Sequence, residues 1–505
     1  MRGRGETGRR TGLKIPRPQG RAGSIPAVRT ILTLSAALLG LAACERRPDD
    51  VAVVASVIGD TPDLRDPSRA PLSPAARVLL AATAQGLVAF DAAGGIEPAL
   101  AERWIVTDDG RSFIFRLRSD ATWADGTRVT SEQVAAVLRR AIAAGSRNPL
   151  LPYLSAIDEI VAMTPTVIEV RLSKPRPDLL KLFAQPELSI TQRGRGGSGP
   201  LRLVRSAPRG ALRLRPGNDE ATDVEPPPAE DYVVLRGERA AKAVARFAAR
   251  TSDLVSGGTI ADWPLVAAAD VAPINVRVDP AAGLFGLSVV LRTGFLSTPD
   301  NRAAVALALD RAAFTDRVRT GWPPAEVILP GTLESAAPPA VPAWVAIPAN
   351  ERQIAARARV AAWGAPVQLR IALPDGPGGN LLWSWIGGAL RAVGIAVTRV
   401  GPRAPADLRL VDEVAPYDSA RWYLRRACQP CAADTAALIA AARDAPDLAQ
   451  RGQRLAAADA ALAADTAFIP IARPFRWSLV AQRLRAWTPN ARAWHPLNRL
   501  RRSPN

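Results

Sequence analysis

The chain has 505 residues, of which 48% are apolar, and it carries a formal net charge of +18 at pH 7. Its length exceeds that of one ordinary domain, so we expect about two or three hydrophobic cores. The charge does not indicate nucleic-acid binding, because arginine is spread through every segment and does not alternate with aromatic residues that could stack on bases.

Residues 1–43 have the pattern of an N-terminal extension followed by an export signal. Arg29 precedes the apolar run Ile31–Ala43, which is too short to span a bilayer, and Cys44 follows Leu41-Ala42-Ala43. This tetrapeptide resembles a bacterial lipobox, which predicts lipid attachment at Cys44 and a periplasmic protein anchored to a bacterial membrane. An ordinary cleaved signal peptide and a buried helix segment are the alternatives.

The stretch Ala99–Val134 predicts a β-hairpin followed by a turn and a helix. Ser112–Leu117 alternates large apolar residues with others at the period of a strand, and it follows the turn signal Asp108–Gly110. Thr130 and Gln133 have the spacing of a capping box, which predicts that a helix begins just after Thr130.

Short strands and helices, with one flexible break, are predicted on either side of this stretch. The break is Arg193–Pro200, which is rich in glycine and is not a phosphate-binding loop, because no Lys-Ser or Lys-Thr pair follows it. The other elements predicted before residue 260 are the strands Val51–Ile58, Ile157–Val161, Val167–Leu172, Leu201–Val204 and Ser252–Val255 and the helices Ala76–Gln85, Asp178–Phe183 and Ala240–Ala249.

The second half of the chain predicts a parallel β-α-β unit. The strand Val367–Leu373, the helix Asn380–Val393 and the strand Ile395–Val400 follow one another, which gives a right-handed crossover. Ligands bind beyond the carboxyl ends of such strands, so Pro374–Gly379 is a candidate cleft loop, with a solvent-exposed glycine-rich loop as the alternative. The other elements predicted in this half are the helices Asp300–Arg319, Thr435–Arg443 and Leu448–Ala464 and the strand Ala467–Ile471.

Two of these stretches resemble family 5 extracytoplasmic solute-binding proteins, the oligopeptide- and dipeptide-binding proteins of ABC importers. One is the hairpin and helix of Ala99–Val134, and the other is Asn301–Phe314. The residues of the first stretch that match the family pattern are Leu100, Ala101, Trp104, Asp109, Gly110, Phe113, Phe115, Leu117, Arg118, Trp123, Asp125, Gly126, Thr130, Ser131 and Val134. These residue types make turns, a core and a helix cap, so the pattern identifies a scaffold without showing a ligand.

The resemblance implies an α/β, two-lobed, periplasmic-binding-protein-like fold of type II, cluster C, with an extra subdomain in lobe 1. The implied organisation is an extension and signal peptide in residues 1–43, lobe 1 in 44–85 and 194–275, the extra subdomain in 86–193, lobe 2 in 276–472 and a return to lobe 1 in 473–505.

The resemblance also implies the substrate-binding component of an ABC peptide importer, which captures a peptide or similar small-molecule solute between its lobes and delivers it to a membrane permease. Such a protein is a monomer, needs no cofactor or metal and is not an enzyme. The residues agree with this last point, because the chain has one histidine, His495, and no nucleophile motif that it could serve.

The ligand segment departs from the family pattern. In peptide-binding members, a strand ending in Tyr-Asp or Phe-Asp precedes an acid that pairs with the peptide's amino terminus. Arg425 and Arg426 stand where that acid would be, so an anionic or amine-free ligand is favoured unless Asp418 or Asp434 substitutes. The alternative is that both arginines point to solvent. The residues predicted to bind the ligand are Tyr417, Asp418, Trp422 and Arg425.

Cys428 and Cys431 form a Cys-x-Pro-Cys pair before a predicted helix. A disulfide between them is the expectation for an exported protein, although this arrangement also lowers thiol pKa values in redox proteins. The alternatives to solute binding are therefore a periplasmic redox protein that uses Cys428 and Cys431, and a lipid-anchored scaffold with a degenerate cleft.

Overall fold

The computed structural model describes residues 48–192, 196–207, 210–217 and 227–501, without the side chains of 205–207. Cys44 and the predicted signal lie outside these residues. In the described parts of the chain, no helix is both long enough and apolar enough to span a membrane.

We number the strands in chain order. They are β1 (Val53–Ile58), β2 (Val88–Phe90), β3 (Ile96–Pro98), β4 (Ala101–Val106), β5 (Ser112–Leu117), β6 (Ile157–Thr164), β7 (Val167–Leu172), β8 (Leu201–Ala207), β9 (Ala211–Pro216), β10 (Val233–Glu238), β11 (Leu254–Gly258), β12 (Val276–Asp279), β13 (Gly283–Val289), β14 (Val367–Ala372), β15 (Ile395–Val400), β16 (Leu408–Val414), β17 (Phe468–Ala472) and β18 (Arg476–Val480).

The α-helices are numbered in the same way. They are α1 (Pro74–Thr83), α2 (Ser131–Ile142), α3 (Leu179–Phe183), α4 (Ala240–Ala248), α5 (Pro264–Ala268), α6 (Pro299–Ala308), α7 (Arg311–Val318), α8 (Ala349–Ala362), α9 (Pro377–Ala392), α10 (Ala420–Ala427), α11 (Ala433–Asp444) and α12 (Leu448–Asp465). Short 3-10 helices occupy Leu151–Tyr153, Pro186–Leu188, Ala229–Asp231, Pro273–Asn275, Gly294–Ser297, Ala343–Ala346 and Leu497–Arg499.

The first lobe is built on a seven-stranded sheet in the order β12-β18-β11-β1-β10-β9-β8. Its central strand β1 pairs in parallel with β10 and β11, so the sheet joins segments that are far apart in sequence. The C-terminal strand β18 pairs with β11 and β12 of this sheet. The predicted start of lobe 2 at residue 276 differs from the pairing, because Val276–Asp279 lies in this sheet and the second sheet starts at Gly283.

The second lobe is built on a five-stranded sheet in the order β15-β14-β16-β13-β17. The predicted β-α-β unit is confirmed, because β14 and β15 pair in parallel and α9 connects them. The chain crosses between the two sheets at residues 280–282 and 473–475. These two short segments connect the two sheets, and each sheet is the centre of one lobe of the predicted two-lobed α/β fold.

The extra subdomain contains the predicted hairpin in a four-stranded sheet of order β4-β5-β7-β6. Phe113, Phe115 and Leu117 are buried on one face of β5, as the alternation predicted. The capping box at the start of α2 is also confirmed: Thr130 accepts from the backbone N–H of Gln133, whose side chain accepts from the backbone N–H of Thr130. The hairpin and helix therefore form a local unit that the sequence specifies on its own.

The single helix predicted over Asp300–Arg319 is wrong, because the chain forms α6 and α7 with an extended break at Leu309. Asp310 caps the new helix by accepting from the backbone N–H of Ala313 at 3.0 Å. The buried guanidinium of Arg311 donates to the carbonyl groups of Ala306 and Leu309, each at 3.0 Å. The break is stable because these polar side chains satisfy the backbone groups that it frees.

Candidate functional site

A cavity of about 430 Å³ lies between the two sheets. Thr259 and Ala261, which follow β11, line its lobe 1 side. The lobe 2 side is lined by residues at the ends of β13 and β14, along β16 and at the end of α10. This volume falls within the range of about 300 to 1,000 Å³ that is typical of small-molecule sites.

Among the described residues, no strand pairs with one edge of β16 where it lines the cavity. The parallel register with β14 stops at Arg409, whereas the antiparallel register with β13 continues to Val414 on the other side. Leu410–Glu413, which lie beyond the end of β14, are all cavity-lining residues. An extended ligand could hydrogen-bond to such an edge as an added strand does.

The glycine-rich segment after β14, which runs from a loop at Pro374 into the first turn of α9, contacts both the cavity and the opposite lobe. Pro374 lines the cavity, and the backbone N–H of Gly378 donates to the carbonyl oxygen of Ala261 at 2.8 Å. A Cβ atom on Gly378 would lie 1.7 Å from the carbonyl oxygen of Ile260, so only glycine fits this approach. This placement supports the interpretation of Pro374–Gly376 as a cleft loop, whereas Pro377–Gly379 form the first turn of α9, which begins three residues before the predicted start at Asn380.

Most charges on the cavity wall are already paired. Glu413 forms an ion pair with Arg426, and Asp412 accepts from Arg476 at 2.7 Å. Arg476 also donates to the backbone carbonyl of Asp412 at 3.0 Å. Burial raises the pKa of the Asp412 carboxyl above its ordinary value, although the charge of Arg476 opposes that rise.

Arg409 is the exception on this wall. It is half-buried, and its guanidinium donates to the backbone carbonyls of Pro402 and, at 2.8 Å, Ala404. No carboxylate in the described ranges forms an ion pair with it.

The predicted ligand residues lie at a different place. The strand β16 ends at Val414, so Tyr417 and Asp418 are in the turn before α10 and do not end a strand. Tyr417 and Trp422 are 5% and 4% exposed and belong to a core that also contains subdomain residues. Burial raises the pKa of Tyr417 above its ordinary value. None of the four predicted residues lines the cavity, so their role in ligand binding stays a prediction that the geometry does not favour.

Asp418 is held by two cations. Lys181 of α3 donates to it at 2.8 Å, and Arg492 of the C-terminal segment contacts its other oxygen. Burial alone would raise the pKa of Asp418, but the hydrogen bonds from Arg492 and Lys181 outweigh burial and hold it below its usual value. Because Lys181 belongs to the subdomain, Asp418 joins lobe 1 to lobe 2.

The two arginines of the ligand segment have different surroundings. Arg425 donates to the hydroxyl of Tyr153 at 3.4 Å and stacks over its ring at 5.5 Å, away from the cavity. Arg426 lines the cavity. Its charge is neutralised by Glu413, and its guanidinium also donates to the side-chain oxygen of Gln429. Neither side chain simply points to solvent.

Cys428 and Cys431 are joined as a disulfide, with their Cα atoms 4.7 Å apart. Gln429 between them lines the cavity, and its backbone carbonyl accepts from the hydroxyl of Ser288 at 3.1 Å. The disulfide therefore closes a loop that forms part of the cavity wall.

A metal site is not seen in the part of the chain that the structure describes, since no three His, Cys, Asp or Glu side chains cluster there. The Nε2 atom of His495 lies 3.1 Å from the Oδ2 atom of Asp279, and both side chains are at most 4% exposed. This histidine is thus held in a structural pair.

The cavity residues Arg409–Glu413 were missed by the sequence reasoning. A signal was present, because the strand that follows a parallel β-α-β unit also presents its residues near the carboxyl ends of its neighbours. The family motif drew attention to Tyr417 and Asp418, a few residues downstream of the wall.

Comparisons with known proteins place this fold in a family. The model of "Bacterial extracellular solute-binding proteins, family 5 Middle" matches residues 95–398. The probable deoxycholate-binding periplasmic protein YgiS of Escherichia coli is 30% identical over 144 residues, which cover 25% of this chain and 27% of YgiS. The periplasmic oligopeptide-binding protein OppA of the same organism is 32% identical over 122 residues, which cover 21% of this chain and 22% of OppA. The matched part thus spans about a quarter of the length of these curated relatives.

Among solved structures, the murein tripeptide binding protein MppA of Escherichia coli superposes with a TM-score of 0.73 at 18% identity, covering 88% of this chain and 97% of that chain. The unliganded open form of MppA superposes with a lower TM-score of 0.62, covering 90% and 96%. The similarity to MppA confirms the predicted two-lobed fold. Since the family model matches more than half of its residues, the chain belongs to family 5 of the bacterial extracellular solute-binding proteins.

Proposed function

We propose that this protein is the substrate-binding component of an ABC importer, that it captures a peptide or a similar small solute in the periplasm, and that it presents this solute to a membrane permease. The observation that carries the proposal is the cavity between the sheets, with the free edge of β16 along its wall. A peptide lying there would gain main-chain hydrogen bonds that do not depend on its side chains. Solute capture of this kind needs no covalent chemistry, and membership of the family supports a protein that is not an enzyme.

The contacts between the lobes support a closed arrangement. Lys181 bridges to Asp418, and the side-chain amide of Gln185 donates to the carbonyl of Pro416 at 2.5 Å. Lys174 donates to the carbonyl of Asp444 at 2.7 Å. Ligand would stabilise this state by binding it better than the open one.

The relatives do not define the ligand. YgiS is named for deoxycholate, OppA for oligopeptides and MppA for a murein tripeptide, so the family accommodates solutes of different chemistry. The proposal further includes a monomer that is held at a bacterial membrane by lipid on Cys44.

The test is to purify the full chain from its own periplasm or membrane and to examine it by native mass spectrometry and small-angle X-ray scattering. A co-purified solute is expected, and its removal should increase the radius of gyration as the lobes separate. Native mass spectrometry would also show the mass of one chain with its lipid. A protein that carries no solute, and whose scattering does not change with any member of a broad peptide and organic-acid panel, would refute the proposal.

A further inference from the structure

We infer that the cavity takes a solute that carries a carboxylate and needs no free ammonium group, and that Arg409 is the residue that anchors this carboxylate. The inference rests on the proposed function and specifies the chemical class of its ligand.

The first argument is the balance of charge on the cavity wall. Arg426 is neutralised by Glu413, and Asp412 is neutralised by Arg476, which approaches from the other lobe. Arg409 has backbone carbonyls as its hydrogen-bond partners. The wall therefore carries one positive charge that no described carboxylate compensates.

The second argument is the cost of leaving that charge uncompensated. Arg409 is already half-buried, and a solute in the cavity would remove more water from its guanidinium. A buried charge is tolerated when it is paired, and a guanidinium can bind a carboxylate through two parallel hydrogen bonds. A solute carboxylate would compensate this charge. An ammonium group would instead have to compete with Arg426 or Arg476 for Glu413 or Asp412.

The third argument is the position of Arg409 on its strand. It is the last residue of β16 that pairs with β14, so it stands where the free edge begins. A ligand extended along Leu410–Glu413 would place one of its ends next to Arg409. The carboxylate could belong to the C-terminus of a peptide or to a free organic acid, since the anchoring chemistry is the same.

The experiment measures binding of three probes to the full-length protein after removal of co-purified solute. The probes are N-acetyl-alanyl-alanine, which has a carboxylate and no ammonium; alanyl-alanine amide, which has an ammonium and no carboxylate; and glutarate, which is an organic acid without a peptide bond. We expect the amide to bind worst. Binding of the acetylated peptide but not of glutarate identifies a peptide terminus, and the reverse identifies an organic acid.

The variants are Arg409→Gln, Arg409→Lys and the matched control Arg403→Gln, since Arg403 is exposed in the adjoining loop and does not line the cavity. Loss of a charge-assisted hydrogen bond should weaken binding of the best anionic probe about tenfold or more in Arg409→Gln. Arg409→Lys should restore part of that affinity, and Arg403→Gln should bind as the wild type does. Circular dichroism shows whether each variant is folded, and Arg409→Lys provides the comparison if Arg409→Gln does not fold.

Equal or better binding of the amide, no binding of either anionic probe, or unchanged affinity in Arg409→Gln would overturn the inference. The proposed function would survive these results if a cationic or neutral solute co-purified with the protein and closed its lobes. Absence of any closing solute would refute both.

Discussion

The ion pair between Lys181 and Asp418 offers a direct test of how the lobes are held together. Lys181 lies on α3 of the subdomain and Asp418 precedes α10 of lobe 2, with 2.8 Å between the ammonium nitrogen and the carboxylate oxygen. Lys181→Met removes the charge and keeps most of the aliphatic stem. Arg492 remains on the other carboxylate oxygen, so the variant does not leave Asp418 unpaired.

The expected effect is modest and can be estimated from the exposure of the pair. The side chains of Lys181 and Asp418 are 33% and 40% exposed, so solvent screens their attraction substantially. Exposed pairs contribute at most about 1 kcal/mol, and this short, partly buried pair belongs near that upper value. The closed state should therefore lose about 1 kcal/mol, which is about a fivefold change in the ratio of closed to open protein.

The assay is small-angle X-ray scattering of solute-free protein, together with the affinity for the co-purified solute, at low and high salt. Lys181→Met should increase the mean radius of gyration and weaken solute binding by up to about fivefold at low salt, and this difference should shrink at high salt. The control is Lys242→Met, because Lys242 pairs with Glu238 within lobe 1, at 3.6 Å. Identical scattering and affinity in the wild type and Lys181→Met, or an equal change in Lys242→Met, would refute this account of the contact.

Three further predictions concern stability and closure. Gly378→Ala should open the lobes in scattering experiments, because the new Cβ atom would lie 1.7 Å from a backbone oxygen of the other lobe. The control Gly388→Ala lies in the same helix, where a Cβ atom has open space, and it should raise the free energy of unfolding by about 0.5 to 1 kcal/mol. Burial raises the pKa of Asp459 to about 6 in the folded protein, above a pKa near 3.8 in the unfolded chain. The protonated carboxyl therefore stabilises the fold fully below the unfolded pKa, and this contribution is lost as pH rises through the folded pKa. Chemical denaturation should accordingly show Asp459→Asn to be more stable than the wild type by up to about 3 kcal/mol at pH 7.5 and little different below pH 4, and equal curves at both pH values would contradict this. Replacing Cys428 and Cys431 by serine should cost about 2 kcal/mol or less in denaturation, because the closed loop is short, and should leave solute binding measurable. Thiol-disulfide exchange activity that is present in the wild type and lost in the folded variant would instead favour the redox alternative.

The site was harder to predict than the scaffold that carries it. The motif of the ligand segment directed attention to Tyr417 and Trp422, yet these aromatic side chains are buried in the core shared by the subdomain and lobe 2. Aromatic residues can serve a core or a ligand equally well, and sequence spacing does not distinguish these uses. Arg409 lies in a strand without a motif, and its proposed role depends on which charges near it are already paired.

The sequence by itself determined the local units of this protein. The capping box at Thr130, the alternation of Ser112–Leu117 and the order of β14, α9 and β15 each depend on residues that are close in the chain, so periodicity and spacing are enough to predict them. The tertiary structure decided which distant segments meet. β12 joined the first sheet because β18 pairs with it, although the two are about 200 residues apart. Lys181 and Asp418 meet across 237 positions. Contacts at such separations are set by how whole lobes pack and by which buried charges find partners, and no local pattern records either.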